Sequence, residues 1–157
     1  MLLGHTLPAQ PLKVQILCSG SGSATSNAAY VSLGGCIIPA DKLAAGDRVE
    51  VRFSFLHPGS ANGFDFQILW GQTTLVRRRA SAKDSVVSGH GEATPGSEAT
   101  ALDVQTWGTA LPFLTSATAA MDPIKGEIRI DFRAAMTAAG SDKVVLQNYT
   151  VLRYPAQ

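Results

Sequence analysis

Short stretches in which apolar and polar residues alternate, cut by Gly, Pro, Ser, Asn and Asp, recur along the chain. An alternation of period two places one row of side chains on each face of a β-strand, whereas a helix needs apolar positions three and four apart. The clearest case is Arg48 to Leu56, where Val49, Val51, Phe53 and Phe55 alternate with Glu50, Arg52 and Ser54. After the loop chemistry of 57–63, Phe64, Phe66, Ile68 and Trp70 alternate with Asp65 and Gln67. The pattern predicts that these two strands pair antiparallel. Gly71-Gln72-Thr73 then predicts a tight hairpin into Thr74 to Arg77, because Gly71 accepts the positive φ such turns demand.

Glu127 to Arg133 alternates again, with Ile128, Ile130 and Phe132 on one face. Lys143 to Tyr154 carries apolar residues on both faces, which predicts a strand covered on two sides by a second layer or a neighbouring subunit. Lys13 to Cys18 and Tyr30 to Ile38 read as strands, divided by the Ser- and Gly-rich stretch 19–27, and 39–46 as a turn holding one helical turn. From Ala80 to Thr106 the apolar signal thins. Long loops are expected there, with weak strands at Val86-Val87 and near Ala101 to Thr106. Many strands and little helix leave no crossovers for a parallel sheet, so an all-β, antiparallel two-sheet β-sandwich is expected, with a jelly roll as the leading topology. An immunoglobulin-like sandwich is the alternative, but no Trp lies between the two cysteines.

Composition narrows the function. The 157 residues suit one domain, read as 13–157 behind an extended attachment segment, 1–12, for which disorder is the competing reading. With 13 basic and 12 acidic side chains the chain has no field to steer a polyanion such as nucleic acid. No run of basic residues followed by an apolar stretch opens the chain, and no apolar run reaches membrane-spanning length, so neither a secretion signal nor membrane insertion is expected. Cys18 and Cys36 fit buried thiols, or a disulfide if their strands are neighbours.

Candidate chemistry is sparse. Gly20-Ser21-Gly22 lacks the strand-turn-helix elbow of a catalytic serine, and no phosphate-binding lysine motif or dinucleotide spacing occurs. His5, His57 and His90 are too dispersed for a metal, so neither metal nor cofactor is expected. Glu50, Asp65, Glu127 and Asp131 lie on predicted strands and would serve glycoside hydrolysis if paired, although outward strand positions are charged for solubility in any case. Arg77-Arg78-Arg79 either grips an anion or ends a strand with solvated side chains. Trp70 shares the phase of Phe64, Phe66 and Ile68 and belongs to the core; Trp107 lacks such a phase and reads either as core or, more than Trp70, as a contact surface.

The series Leu43-Ala44-Ala45-Gly46-Asp47-Arg48-Val49-Glu50-Val51-Arg52-Phe53, Ala61-Asn62-Gly63-Phe64-Asp65-Phe66 and Leu69-Trp70-Gly71-Gln72-Thr73-Thr74-Leu75-Val76 resembles the C-terminal head domains of bacteriophage tail fibres and related virion appendages. Trp107-Gly108-Thr109, Ile130-Asp131-Phe132-Arg133 and the ending Asn148 to Pro155 continue it. The resemblance implies a jelly roll similar to tumour-necrosis-factor domains and a homotrimer. It implies a place on a virion appendage, tail or head fibre, assembled in the bacterial cytoplasm, where the domain attaches to host cell-surface polysaccharide and meets other virion proteins through 1–12. It carries no catalytic residue, so a non-enzymatic receptor-binding role is expected, with structural capping, decoration or trimerisation as the alternative. His57, Asn62, Arg78 and Trp107 are the candidate ligand contacts, as loop or strand-end residues able to hydrogen-bond or stack.

Overall fold

A computed structural model of the chain describes residues 13–96, 100–106, 114–120 and 122–157, with backbone alone for 100–106 and 114–118. The described residues form eleven strands: β1 (Gln15–Gly20), β2 (Ala24–Thr25), β3 (Val31–Ile38), β4 (Arg48–Leu56), β5 (Phe64–Trp70), β6 (Thr73–Ala80), β7 (Val86–Pro95), β8 (Thr100–Thr106), β9 (Leu114–Ala120), β10 (Ile128–Met136) and β11 (Val144–Tyr154). All pairings are antiparallel, and the strands lie in two sheets. The larger runs β1-β11-β4-β7-β8-β9, with β2 on β11, and the smaller runs β3-β10-β5-β6. Among the described residues the turns of 39–46 contain no helix.

Strand order identifies the topology. Setting aside β2 and the β8–β9 hairpin, the first strand pairs with the last (β1·β11), and β3·β10, β4·β7 and β5·β6 nest inside it. A long antiparallel ribbon folded over so that alternate pairs fall in opposite sheets is the jelly-roll wrap. The β8–β9 hairpin extends the larger sheet beyond β7.

The expected pairing of β4 with β5 is corrected. β4 bonds to β11 and β7, β5 to β10 and β6, and loop 57–63 carries the chain from one sheet to the other. Alternation reports that one face is buried but not whether the covering strand lies beside it or across a core. Here it lies across: Phe53 meets Phe66 with ring centroids 5.6 Å apart, and Phe55 meets Phe66 at 4.9 Å. These rings, with Trp70, Ile130, Phe132, Leu146 and Val151, fill the space between the sheets.

The apolar residues of β11 do lie on both faces, with Val145 and Leu152 half-buried on the outer one. A bulge between Leu146 and Asn148 shifts the pleat by one residue, so Val144, Leu146, Tyr149 and Val151 all face the core while Gln147 and Asn148 are exposed. Of the weak strands expected within 80–106, both are present, as β7 and β8, but β7 runs to ten residues where long loops were expected around Val86-Val87. Its weak strand signal has a packing cause: a Cβ built on Gly91 would lie 2.9 Å from Leu75 Cγ and 3.0 Å from Val76 Cγ2, so small residues let the facing sheet close down. Gly71 makes the β5–β6 turn with φ of +56°.

Of the two readings of the cysteines, the structure has the bonded one: Cys18 and Cys36 lie at an S–S distance of 2.02 Å. The bridge joins β1 to β3, edge strands of opposite sheets, and so staples one side of the sandwich. Closing a loop of this length restricts the unfolded chain, so the Cys18→Ser, Cys36→Ser double variant is expected to lose roughly 2–4 kcal/mol in denaturant unfolding. A midpoint unchanged by the substitutions or by reductant would contradict the bridge.

Candidate functional site

The outward face of the larger sheet carries an ordered row of polar side chains that the core does not explain. Register places Glu50 opposite Glu92 and Leu152, Arg52 opposite His90 and Thr150, and Ser54 opposite Ser88 and Asn148. Since Val49, Val51, Phe53 and Phe55 point into the core, Glu50, Arg52 and Ser54 point away from it. A recess of about 590 Å³ lies here, lined by Glu50, Arg52, Ser54, Ser88, His90 and Asn148, with Phe53 and Gly89 beneath.

Several of these groups are fixed by one another. Glu50, only 5% exposed, accepts from Arg52 Nε at 2.6 Å and from Tyr154 Oη at 2.8 Å. Tyr154 lies under the Arg48 guanidinium, 4.1 Å from ring centroid to Cζ, and Arg48 in turn pairs with Glu92 at 2.9 Å. Burial pushes the Glu50 carboxyl up, but the hydrogen bonds from Arg52 and Tyr154 outweigh it and hold the group below its ordinary value. The same contact with Glu50 raises the Arg52 guanidinium and the Tyr154 phenol, so both stay protonated across the physiological range. Beside them Ser88 donates to Ser54 at 3.0 Å, and Ser54 to Gln147 at 3.3 Å. The recess therefore offers a half-exposed guanidinium, hydroxyls and an exposed amide on a rigid, three-strand floor. Such groups bind a ligand rich in hydroxyls through paired donors and acceptors.

The residues expected to contact ligand lie elsewhere. His57 is fully buried against Phe64, with ring centroids 5.4 Å apart, and its Nε2 lies 3.8 Å from Asp142 Oδ2. That carboxylate accepts from the backbone N–H groups of Ala61 and Asn62 at 2.8 and 2.9 Å, clasping loop 57–63 to the β10–β11 connection. The two N–H groups hold Asp142 below the ordinary carboxylate range. The structure thus brings His57 and Asn62 together, but as parts of a loop clasp. Arg78 sits apart on β6, half-buried, its Nη1 donating to the Arg77 carbonyl at 2.8 Å. Trp107 and the segment 1–12 lie outside the described residues.

Strand position alone does not reveal the recess, because solvated outer faces are also polar. The signal present in the sequence was Glu50-x-Arg52-x-Ser54 beside Ser88-x-His90, which gains meaning only once β4 and β7 are known to pair. The four candidate carboxylates do not gather: Glu50 lies on the larger sheet, Asp65 and Asp131 on the smaller, and Glu127, expected on a strand, falls just before β10. Among the described residues no group of three or more His, Cys, Asp or Glu could hold a metal ion.

No protein-family model matches the chain, and no curated protein matches it in sequence. Among solved structures, arcelin-5, a lectin-like defence protein from Phaseolus vulgaris, is similar at a TM-score of 0.36 and 8% identity over 75% of each chain. A lectin from Bauhinia forficata in complex with GalNAc gives 0.37 and 9% over 96% of each chain. The structure of infectious bursal disease virus, Gx strain, gives 0.31 and 11% over 99% of this chain and 41% of that one. At these scores the likenesses assign no activity. The chain is an all-β, antiparallel β-sandwich wrapped as a jelly roll, with a built polar recess on the outer face of its larger sheet.

Proposed function

We propose that this domain is a non-enzymatic carbohydrate-binding module of a virion surface appendage, which trimerises and attaches to host cell-surface polysaccharide through the recess on the larger sheet. The observation that carries the reading is the interlocked set Glu50, Arg52 and Tyr154 beside Ser54, Ser88 and Asn148. It holds donors and acceptors rigidly at an open surface, which lowers the entropy cost of binding a polyhydroxylated ligand. The carboxylate in this set is occupied by two donors and is poised for neither acid nor base catalysis, which favours binding over hydrolysis. The resemblance to fibre heads supports the particle context.

A second observation supports assembly. Val14, Ile16 and Ile37 are exposed, Ile16 by 69% and Ile37 by 52%, and all three lie on or next to the disulfide-linked edge strands β1 and β3. Register sets Ile16 beside Leu152 on the outer face of the larger sheet and Ile37 beside Arg129 on that of the smaller, so apolar side chains flank this edge from both sides, which suits burial between copies. Light scattering is expected to give three copies per particle, and Ile16→Asp with Ile37→Asp is expected to return monomers; a monomeric parent protein would refute the trimer.

Glycan-array screening of the purified protein is expected to find a host-type glycan, with Arg52→Ala weakening it at least tenfold because a charge-assisted bond is lost. Failure of the folded protein to bind any array or host-surface glycan would refute the reading. Particles that adsorb normally without the domain but fail to assemble would favour a capping role instead.

A further inference from the structure

The three consecutive arginines of β6 do not act together. Leu75 and Val76 start the run inside the core, and the pleat then sends Arg77 and Arg79 to the outer face of the smaller sheet, while Arg78 lies at the sandwich edge opposite Phe66. On that outer face they join two arginines from β10, brought there by pairing through β5. Register sets Arg77, Gln67, Arg133 and Ser32 in one row, with Arg79, Asp65 and Ala135 in the row on one side. On the other side Thr74, Leu69, Asp131 and Gly35 follow, and Arg129 stands opposite Ile37 one row further.

The carboxylates of this face are already engaged. Asp65 accepts two bonds from Arg79, at 2.7 and 2.8 Å. Asp131, itself buried, accepts from Ser32 and lies 3.1 Å from Arg133 Nε. Arg77 has no ion pair among the described residues, and Arg129 reaches Asp131 only at 4.0 Å. Within these paired rows, with Glu127 just before β10 left aside, four guanidiniums stand against two carboxylates, a local excess of two positive charges on a chain whose net charge is only +1. Accessibility varies along the face: Arg77 is exposed, Arg79 72% and Arg129 63% exposed, and Arg133 38%.

We propose that this face is a second binding site, distinct from the recess, for an anionic polysaccharide carrying carboxylate or sulfate groups. The geometry fits an extended chain of spaced charges. Arg77 and Arg133 flank Gln67 across two strand spacings, about 10 Å, comparable with the advance of two linked pyranose rings. Gln67 between them presents an amide to ring hydroxyls, and the arginines offer forked donors to successive acidic groups. A single-stranded nucleic acid would draw on a row of stacking aromatics, and the paired strand positions here carry none, although Tyr30 borders Arg79.

The test is binding of polygalacturonate, dextran sulfate, neutral dextran and a short duplex DNA to the full chain across a salt series. Expected are binding of one or both acidic polysaccharides, weakening steeply as salt rises, and none of neutral dextran. Arg77→Gln with Arg133→Gln is expected to reduce that affinity at least tenfold, and Arg77→Gln alone, at an exposed side chain with no ion pair among the described residues, about threefold with the fold intact. Lys42→Gln, an exposed cation in the turn before β4 and outside both sites, is expected to leave it unchanged, which separates binding at this face from a general loss of positive charge. Equal binding of neutral dextran, affinity indifferent to both arginine variants, or tighter binding of DNA than of either acidic polysaccharide would overturn the proposal.

Discussion

Replacing Asp47 by alanine is expected to cost the folded protein about 3 kcal/mol, because the change strips a buried charge of its partner. Asp47 is 1% exposed and ties three parts of the chain together. Its Oδ2 accepts from the backbone N–H of Ala44 at 2.9 Å and from Arg153 Nε at 2.6 Å, and its Oδ1 from the N–H of Ala156 at 3.0 Å. The turn that launches β4 is thereby fixed to the last strand and to the residues after it. Loss of the carboxylate leaves two N–H groups and a largely buried guanidinium without an acceptor. Burial alone pushes the Asp47 carboxyl up, but Arg153 and the two N–H groups outweigh it, so the folded value lies below the ordinary 3.8. A carboxyl depressed on folding contributes fully above its unfolded value and loses that contribution as pH falls through the folded one. The stability gap between the parent and Asp47→Ala is therefore expected to be widest near neutral pH and to narrow below pH 3.8, in urea unfolding followed by circular dichroism. A gap under 1 kcal/mol at neutral pH would show that Asp47 does not hold the termini of β4 and β11 together.

The largest expected effect on binding comes from Glu50→Ala, about a hundredfold weaker affinity for the glycan that the recess takes. This exceeds the effect of losing Arg52 because Glu50 positions two neighbours at once, and a hydrogen bond to a charged group contributes about 1.5–3 kcal/mol. Without it Arg52 swings free and Tyr154 loses its acceptor, so two surfaces of the recess become mobile. Tyr154→Phe removes one of these contacts and is expected to fall between the parent and Glu50→Ala. The low-lying Glu50 carboxyl adds a pH signature: its contribution to binding is lost only as pH drops below the ordinary 4.5. Affinity unchanged in Glu50→Ala, in protein whose near-ultraviolet dichroism matches the parent, would remove the network from the account.

The core was more legible than the site. Val49 to Phe55, Phe64 to Trp70 and Ile128 to Phe132 alternate cleanly because each buries one face against the opposite sheet, and each is a strand in the structure. What alternation could not report was the identity of the neighbour, so β4 and β5 look like a hairpin in sequence although they face each other across the core. Bulges hid more: unbroken alternation sets Tyr149 and Val151 on the face opposite Val144 and Leu146, whereas the shift at Leu146/Asn148 turns all four to the core. In β7 the small residues required by close sheet packing at Gly91 read as loop. β9 had no apolar signature and went unpredicted. The recess was illegible for a related reason. It is assembled from Glu50, Ser88 and Asn148, on three strands whose adjacency is a property of the jelly-roll wrap rather than of any local motif. His57 misled because a polar residue in a Pro- and Gly-containing loop reads as exposed, whereas the crossing between sheets folds its ring under Phe64.

The central claim is that carbohydrate binds on the outer face of β4, β7 and β11, and backbone amide shifts recorded while a glycan selected on the array is titrated into isotopically labelled protein test it most directly. The account predicts shifts concentrated at residues 50–54, 88–90 and 148, with the amides of Ala61 and Asn62 at the Asp142 clasp unmoved. Shifts centred on loop 57–63, or spread without focus while the recess stays silent, would contradict it.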